Sequence, residues 1–161
     1  ANHGALIKHN HEIEGINSRL DGIQAAILSV KLKYIIEWNE KRLKNALLYN
    51  DYLSKINPIV IPQIHPDINH VFHLYVVRTG FRDELAKFLR DNCIDTGIHY
   101  PTALPFLKAY RYLDHKPEDF STAYHHMGNI LSLPMFPELT KDQIRYTVDK
   151  IKEFYSIKHA H

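Results

Sequence analysis

A chain of 161 residues, 45% hydrophobic and 24% charged, has the size and composition of one globular domain with a sizeable core. Its net charge is +2 with the positive residues dispersed, so no nucleic-acid arm or membrane-surface patch is expected. No run of about 18 apolar residues is present, so no transmembrane span is expected, and no signal peptide is visible in this sequence. The single cysteine, Cys93, excludes an internal disulfide framework and fits a reducing, cytoplasmic compartment. Between a helical stretch and a β-like one, it is expected as a buried small hydrophobe rather than a nucleophile. The polar opening Ala1-Asn2-His3-Gly4 lacks a methionine, and a fragment of a longer protein is expected.

Residues 1–18 are polar and irregular. Ser18 and Asp21 form an S-x-x-D pair that reads as a capping box ahead of an apolar-periodic run. Leu20, Ile23, Ile27 and Val30 fall at helical spacing, and the pattern resumes through Ile35, Trp38, Leu43, Leu47 and Leu53. No glycine or proline interrupts residues 23–57, so one long helix, or two with a bend near Leu32-Lys33, is predicted. Such an arm exceeds the average helix of about 11–12 residues and often carries an intersubunit surface. Asn57-Pro58 ends it.

Residues 58–69 read as a loop, with Val60-Ile61 as an edge strand. Val71 to Arg78 is the strongest strand signal, rich in β-branched and aromatic residues. Within it His73 is expected as a satisfied core histidine. Arg82 to Asn92 reads as a helix with Leu85, Phe88 and Leu89 inward, and Ile94 to Tyr100 as a second strand stopped by Pro101. Residues 101–117 are loop and short helix, Phe120 to Asn129 is helical, and Leu131–Met135 is a short apolar element. Thr140 and Gln143 make a T-x-x-Q capping box. The last helix runs to about Ser156 with Ile144, Val148, Ile151 and Phe154 or Tyr155 inward, before a frayed tail of Lys158 to His161.

Two stretches carry candidate chemistry. The start of the first helix has unpaired backbone N–H groups, and with Arg19 beside them it reads either as an anion seat or as a plain capped helix. Thr96-Gly97-Ile98-His99-Tyr100-Pro101 places two hydrogen-bonding aromatics at the mouth of a small sheet, where ligands tend to bind. The plainer reading there is a strand terminus with a packed Tyr100 and a surface His99. Twelve histidines invite a metal, but one cysteine and no H-E-x-x-H argue against a metal site. No G-x-S-x-G, G-x-G-x-x-G or P-loop is present.

Six segments together resemble one family: Asn2-His3-Gly4, Gly15–Leu28 (GINSRLDGIQAAIL), Trp38–Arg42 (WNEKR), His73–Arg78 (HLYVVR), Thr96–Pro101 (TGIHYP) and Leu131–Thr140 (LSLPMFPELT). Their order and spacing resemble the C-terminal part of the DegT/DnrJ/EryC1/StrS aminotransferases. The resemblance implies an α/β (α+β) chain: the small C-terminal domain of the aspartate-aminotransferase (type I PLP) fold, with a small, mainly antiparallel sheet packed by helices and preceded by a long helical arm. It divides the chain into residues 1–18 from a large domain, a helical connection over 19–57, and a small α/β domain over 58–161.

The resemblance further implies pyridoxal 5'-phosphate as cofactor and a homodimer with active sites at the subunit interface. Asn17, with Arg19 beside it, maps onto the segment reaching the cofactor phosphate of the other subunit. His99 and Tyr100 map onto residues near the cofactor and sugar. The implied reaction aminates a keto-deoxysugar on a nucleoside diphosphate, with glutamate as amino donor, for surface-polysaccharide or glycoside biosynthesis. The family's Schiff-base lysine and its carboxylate partner to the pyridine nitrogen belong to a part preceding Asn2, so no catalytic residue is assigned here and the chain alone is expected to be inactive. The chain departs from the family's H-Y-P-x-P-x-H-x-Q at Pro105, which stands where the second histidine often stands. The rival expectation is a non-catalytic binding, dimerisation or regulatory module of the same fold.

Overall fold

The computed structural model describes residues 20–159, together with two short strands, β1 (Ala5–Ile7) and β2 (Asn10–His11), that pair antiparallel. The chain divides into two compact units, Ala1–Glu37 and Trp38–His161. In the first, helix α1 spans Gly22–Leu32 and carries no buried residue. Asp21 is its N-cap, in extended backbone, and makes no side-chain cap bond. The helix begins after Asp21, and Ser18, the other half of the predicted S-x-x-D box, lies outside the described residues. A turn at Lys33-Tyr34 separates α1 from α2 (Ile35–Leu53), close to the predicted bend.

In the second unit, Ala46, Tyr49 and Leu53 form the buried face of α2 at helical spacing. Strands β3 (Tyr75–Arg78) and β4 (Ile130–Leu133) pair antiparallel, from Tyr75↔Leu133 to Arg78↔Ile130. Single bridges extend the sheet on each side, Val60 to Arg78 and Gly97 to Ser132. Helices α3 (Arg82–Asp91), α4 (Ser121–Met127) and α5 (Lys141–His159) complete the unit, with 3-10 turns between residues 104 and 120.

The core gathers Tyr49, Phe72, Tyr75, Val77, Leu85, Leu89, Leu131, Ile144, Val148 and Ile151, all fully buried. Each buried aliphatic of this kind contributes about 1.5–3 kcal/mol. α3 packs on α5 through Phe88 and Phe154, ring centroids 5.5 Å apart. Tyr49 and Tyr75 stack at 4.8 Å. Their hydroxyls find partners at the edge of the core: Tyr75 donates to Asn50 Oδ1 (2.7 Å) and Tyr49 to the Pro134 carbonyl (3.2 Å). Burial pushes the Tyr49 phenol up to about 12 against a smaller opposing effect of its hydrogen bond with Thr147. Burial, then Tyr49, also raises Tyr75 above its ordinary value. At the start of α5 the predicted capping box is present: Thr140 N–H donates to Gln143 Oε1 and Gln143 N–H to Thr140 Oγ1. The helix buries Ile144, Val148, Ile151, Phe154 and Tyr155, as its periodicity predicts.

Five expectations are corrected. The strand predicted over 71–78 is confined to Tyr75–Arg78, because Phe72 takes φ 44°, outside the extended region, and its N–H turns back to His70 Nδ1 (3.0 Å). His73 precedes the paired residues and is exposed, not a core histidine. The second strand predicted over 94–100 reduces to the bridge at Gly97. Cys93 is exposed rather than buried. It sits just past α3 with φ 60°, its N–H on the Arg90 carbonyl while the Ile94 N–H reaches the Leu89 carbonyl. This is the Schellman ending usually given to glycine, and it buries Ile94 while turning Cys93 out. Finally, α5 continues through Lys158 to His159, past the expected fraying point.

Candidate functional site

The site forms where the segment after α3 meets β4. Gly97 and Ser132 exchange both backbone hydrogen bonds, Gly97 N–H to the Ser132 carbonyl (3.0 Å) and Ser132 N–H to the Gly97 carbonyl (2.8 Å). That rung anchors the chain two residues before His99. The His99 ring then folds back over Gly97, and Nδ1 lies 2.9 Å from the Ser132 hydroxyl, itself 4% exposed. A Cβ on Gly97 would lie 2.5 Å from His99 Cε1 and 3.2 Å from Nδ1. Glycine is therefore required here for close approach of the imidazole. The Tyr100 ring stands edge-on to His99, centroids 5.7 Å apart, across a cis His99–Tyr100 peptide.

The structure thus brings His99 and Tyr100 together. His99 is fixed by Ser132, whereas Tyr100 is 72% exposed and not packed as a plain strand terminus would have it. Tyr100 walls an apolar cavity of about 380 Å³ with Pro101, Thr102, Leu104 and Leu107. Its size falls within the range of small-molecule sites, about 300–1,000 Å³. The arrangement offers an oriented imidazole beside an aromatic, largely apolar wall. Such a wall suits a ring stacked or packed edge-on, with polar contacts from His99.

Asn17 and Arg19 lie outside the described residues. Sequence reasoning missed Ser132 and the role of Gly97. Ser132 lies 33 residues from His99, and the only local signal was its place as the polar residue inside the apolar run Leu131–Met135. No cluster of three metal-ligating side chains exists among the described residues, and no described helix is long and apolar enough to cross a membrane.

Comparison with known proteins gives this geometry a setting. The profile of the DegT/DnrJ/EryC1/StrS aminotransferase family matches residues 1–152. The chain is 41% identical over 155 residues to a "Pleiotropic regulatory protein" of Geobacillus stearothermophilus, covering 95% of this chain and 42% of that one. It is 36% identical over 153 residues to a dTDP-3-amino-3,4,6-trideoxy-alpha-D-glucose transaminase of Streptomyces venezuelae, covering 95% and 40%. Among solved structures, S. venezuelae DesV in complex with a ketimine intermediate superposes with a TM-score of 0.84 at 36% identity, over 95% of this chain and 41% of that one. The chain therefore spans less than half the length of these relatives. The small antiparallel sheet packed by helices is the fold of PLP aminotransferases of this kind. With nearly all of its length matched by one profile and its backbone superposing on that of an aminotransferase, the chain belongs to the DegT/DnrJ/EryC1/StrS aminotransferase family.

Proposed function

We propose that this chain is the C-terminal part of a PLP-dependent aminotransferase that aminates a keto-deoxysugar carried on a nucleoside diphosphate, with glutamate as the amino donor. The observation that carries the reading is the His99–Ser132 pair beside the cavity walled by Tyr100, in a chain of this family. The relatives named as dTDP-sugar transaminases from Streptomyces venezuelae and Aneurinibacillus thermoaerophilus favour a nucleotide sugar as substrate. In this reading residues 1–18 belong with a large domain, 19–57 connect, and 58–161 form the small domain. The whole protein works as a cytoplasmic homodimer in polysaccharide or glycoside biosynthesis. The apolar, unburied surface of α1 supports assembly with further protein.

PLP, when bound, supplies the electron sink and carries the amino group. The donors described at the site are an imidazole, a hydroxyl and a phenol. They fit contacts to a hydroxylated sugar or a heteroaromatic ring, and no lysine lines the cavity. The cofactor phosphate falls to Asn17 and Arg19, by their match to the family's G-x-N-x-R segment. His99 is the residue to orient the substrate: the Ser132 hydroxyl holds Nδ1, which fixes the ring and leaves Nε2 for a substrate oxygen. Tyr100 and its apolar neighbours exclude water from one side of the bound ring.

The test is where PLP attaches. The full-length protein should retain PLP through gel filtration. After borohydride reduction, the pyridoxyl group should be found on a lysine outside these 161 residues. A single pyridoxyl-modified lysine within them overturns the reading. The name of the G. stearothermophilus relative favours one alternative, a regulatory module of the same fold; a full-length protein that never retains PLP would establish it.

A further inference from the structure

A second cavity, this one polar, lies at the other end of the short sheet, where β3 leaves it. It occupies about 230 Å³ and is lined by Arg78, Thr79, Gly80, His125, His126 and Asn129, with Pro58 and Val60. Arg78 is held at this place by backbone bonds in both directions with Val60 and by its rung with Ile130. The Asn129 backbone is fixed by its carbonyl, which accepts the Thr79 N–H (2.9 Å). The cavity therefore has a rigid floor of paired strand backbone.

Its electrostatics are one-sided. Arg78 brings a permanent positive charge, and none of the described residues lining the cavity is a carboxylate. Among the described residues Arg78 makes no ion pair. Its one side-chain hydrogen bond runs from Nη1 to His126 Nε2, at 2.9 Å. A guanidinium only donates, so Nε2 accepts and the His126 proton sits on Nδ1. That Nδ1 is buried and has no partner among the described residues. Desolvation, then Arg78 and His125, hold the His126 pKa below its ordinary value. Asn129 Nδ2 donates to the His125 carbonyl (3.0 Å) and lies a long 3.5 Å from His125 Nε2, so its second N–H is only weakly held. The cavity is thus lined by a cation with four spare N–H donors, an amide, and an imidazole whose buried Nδ1 is unpartnered, with no anion among the described lining residues to balance them.

We propose that this cavity is a binding site for a small oxyanion, a carboxylate or a phosphate, seated on Arg78 with His126 and Asn129 as supporting donors. The guanidinium fork matches the two oxygens of either group. The volume lies below that of clefts for drug-sized ligands, which limits the occupant to a small ion or the charged end of a larger molecule. The site is distinct from the His99 pair: it sits at the Ile130 rung of β4, two residues from the Ser132 rung.

The experiment is a titration of the chain with sodium phosphate, sodium acetate and sodium chloride at constant ionic strength, followed by the imidazole nitrogen resonances of His126. A saturable shift with phosphate or acetate, absent with chloride, supports the site, and whichever ion saturates it names the source of the oxyanion. Arg78→Gln should weaken that binding at least about tenfold, as removal of a charge-assisted pair does. Should Arg78→Gln fail to fold, Asn129→Asp decides, because it places a carboxylate in the same wall while keeping the backbone bond to Thr79. It should weaken binding at least as much. No saturable shift with either oxyanion, an equal response to chloride, or oxyanion binding undiminished in Asn129→Asp overturns the proposal.

Discussion

Gly97→Ala is the substitution on which the site geometry makes its sharpest demand. The new methyl would lie 2.5 Å from His99 Cε1, a distance that heavy atoms do not share, so the imidazole has to swing away. The swing breaks the 2.9 Å bond between Nδ1 and the buried Ser132 hydroxyl. Leaving such a hydroxyl unpaired costs about 1–3 kcal/mol, and an off-rotamer imidazole adds about 0.5–1.5 kcal/mol. The stiffer unfolded chain offsets about 0.4–1 kcal/mol, since the backbone at Gly97 lies outside the left-handed region. The expected loss is about 0.5–4 kcal/mol, read by urea unfolding as a lower midpoint with unchanged slope. A His99→Ala background removes the atom that is struck. There Gly97→Ala should be neutral or slightly stabilising. If it destabilises equally with and without the His99 ring, the close approach is not what requires glycine.

Other outcomes follow from the same structure. Tyr49 and Tyr75 are buried in their neutral form, so the native state keeps protons that the unfolded chain releases above pH about 10. Stability should hold below that pH and fall between about 10 and 12, by up to about 1.4 kcal/mol per pH unit per tyrosine, measured by urea unfolding across alkaline buffers. Tyr49→Phe should flatten the slope. Cys93→Gly relieves a left-handed residue at the end of α3 and should stabilise the chain by about 1 kcal/mol in thermal unfolding, while Cys93 itself should react with a thiol reagent in the folded state. Thr140→Ala removes one arm of the box at the start of α5 and should cost about 1 kcal/mol. In the full-length protein, Asn17→Ala should speed PLP loss on dialysis while leaving the circular dichroism spectrum unchanged.

What the sequence disclosed was what local chemistry controls. The break between α1 and α2, the inward face of α5 and the Thr140–Gln143 box each depend on residues within a turn or two of one another. What it concealed depends on distant partners. Leu131–Met135 is too short and too apolar for periodicity to mark as a strand, yet β4 is the centre of the sheet because Tyr75–Arg78 and Gly97 flank it. His73 and Val71 carry strand-forming residue types, but a left-handed Phe72 between them prevents pairing. Cys93 follows a helix with no glycine or asparagine at the position that must turn, so its exposure was hidden by its residue type. At the site, the T-G-I-H-Y-P segment drew attention to His99 and Tyr100, but the Ser132 hydroxyl that orients the imidazole comes from another strand.

Amino transfer to a nucleotide sugar is read by following the amino nitrogen. Full-length protein loaded with PLP is mixed with isotopically labelled glutamate and a panel of keto-deoxysugars on nucleoside diphosphates, and the products are read by mass spectrometry. The label is expected in the amino group of one nucleotide sugar, with His99→Ala raising KM for the sugar more than it lowers kcat. PLP-loaded protein that transfers no label to any sugar on the panel, while passing it to a small keto acid, would contradict a sugar as the acceptor.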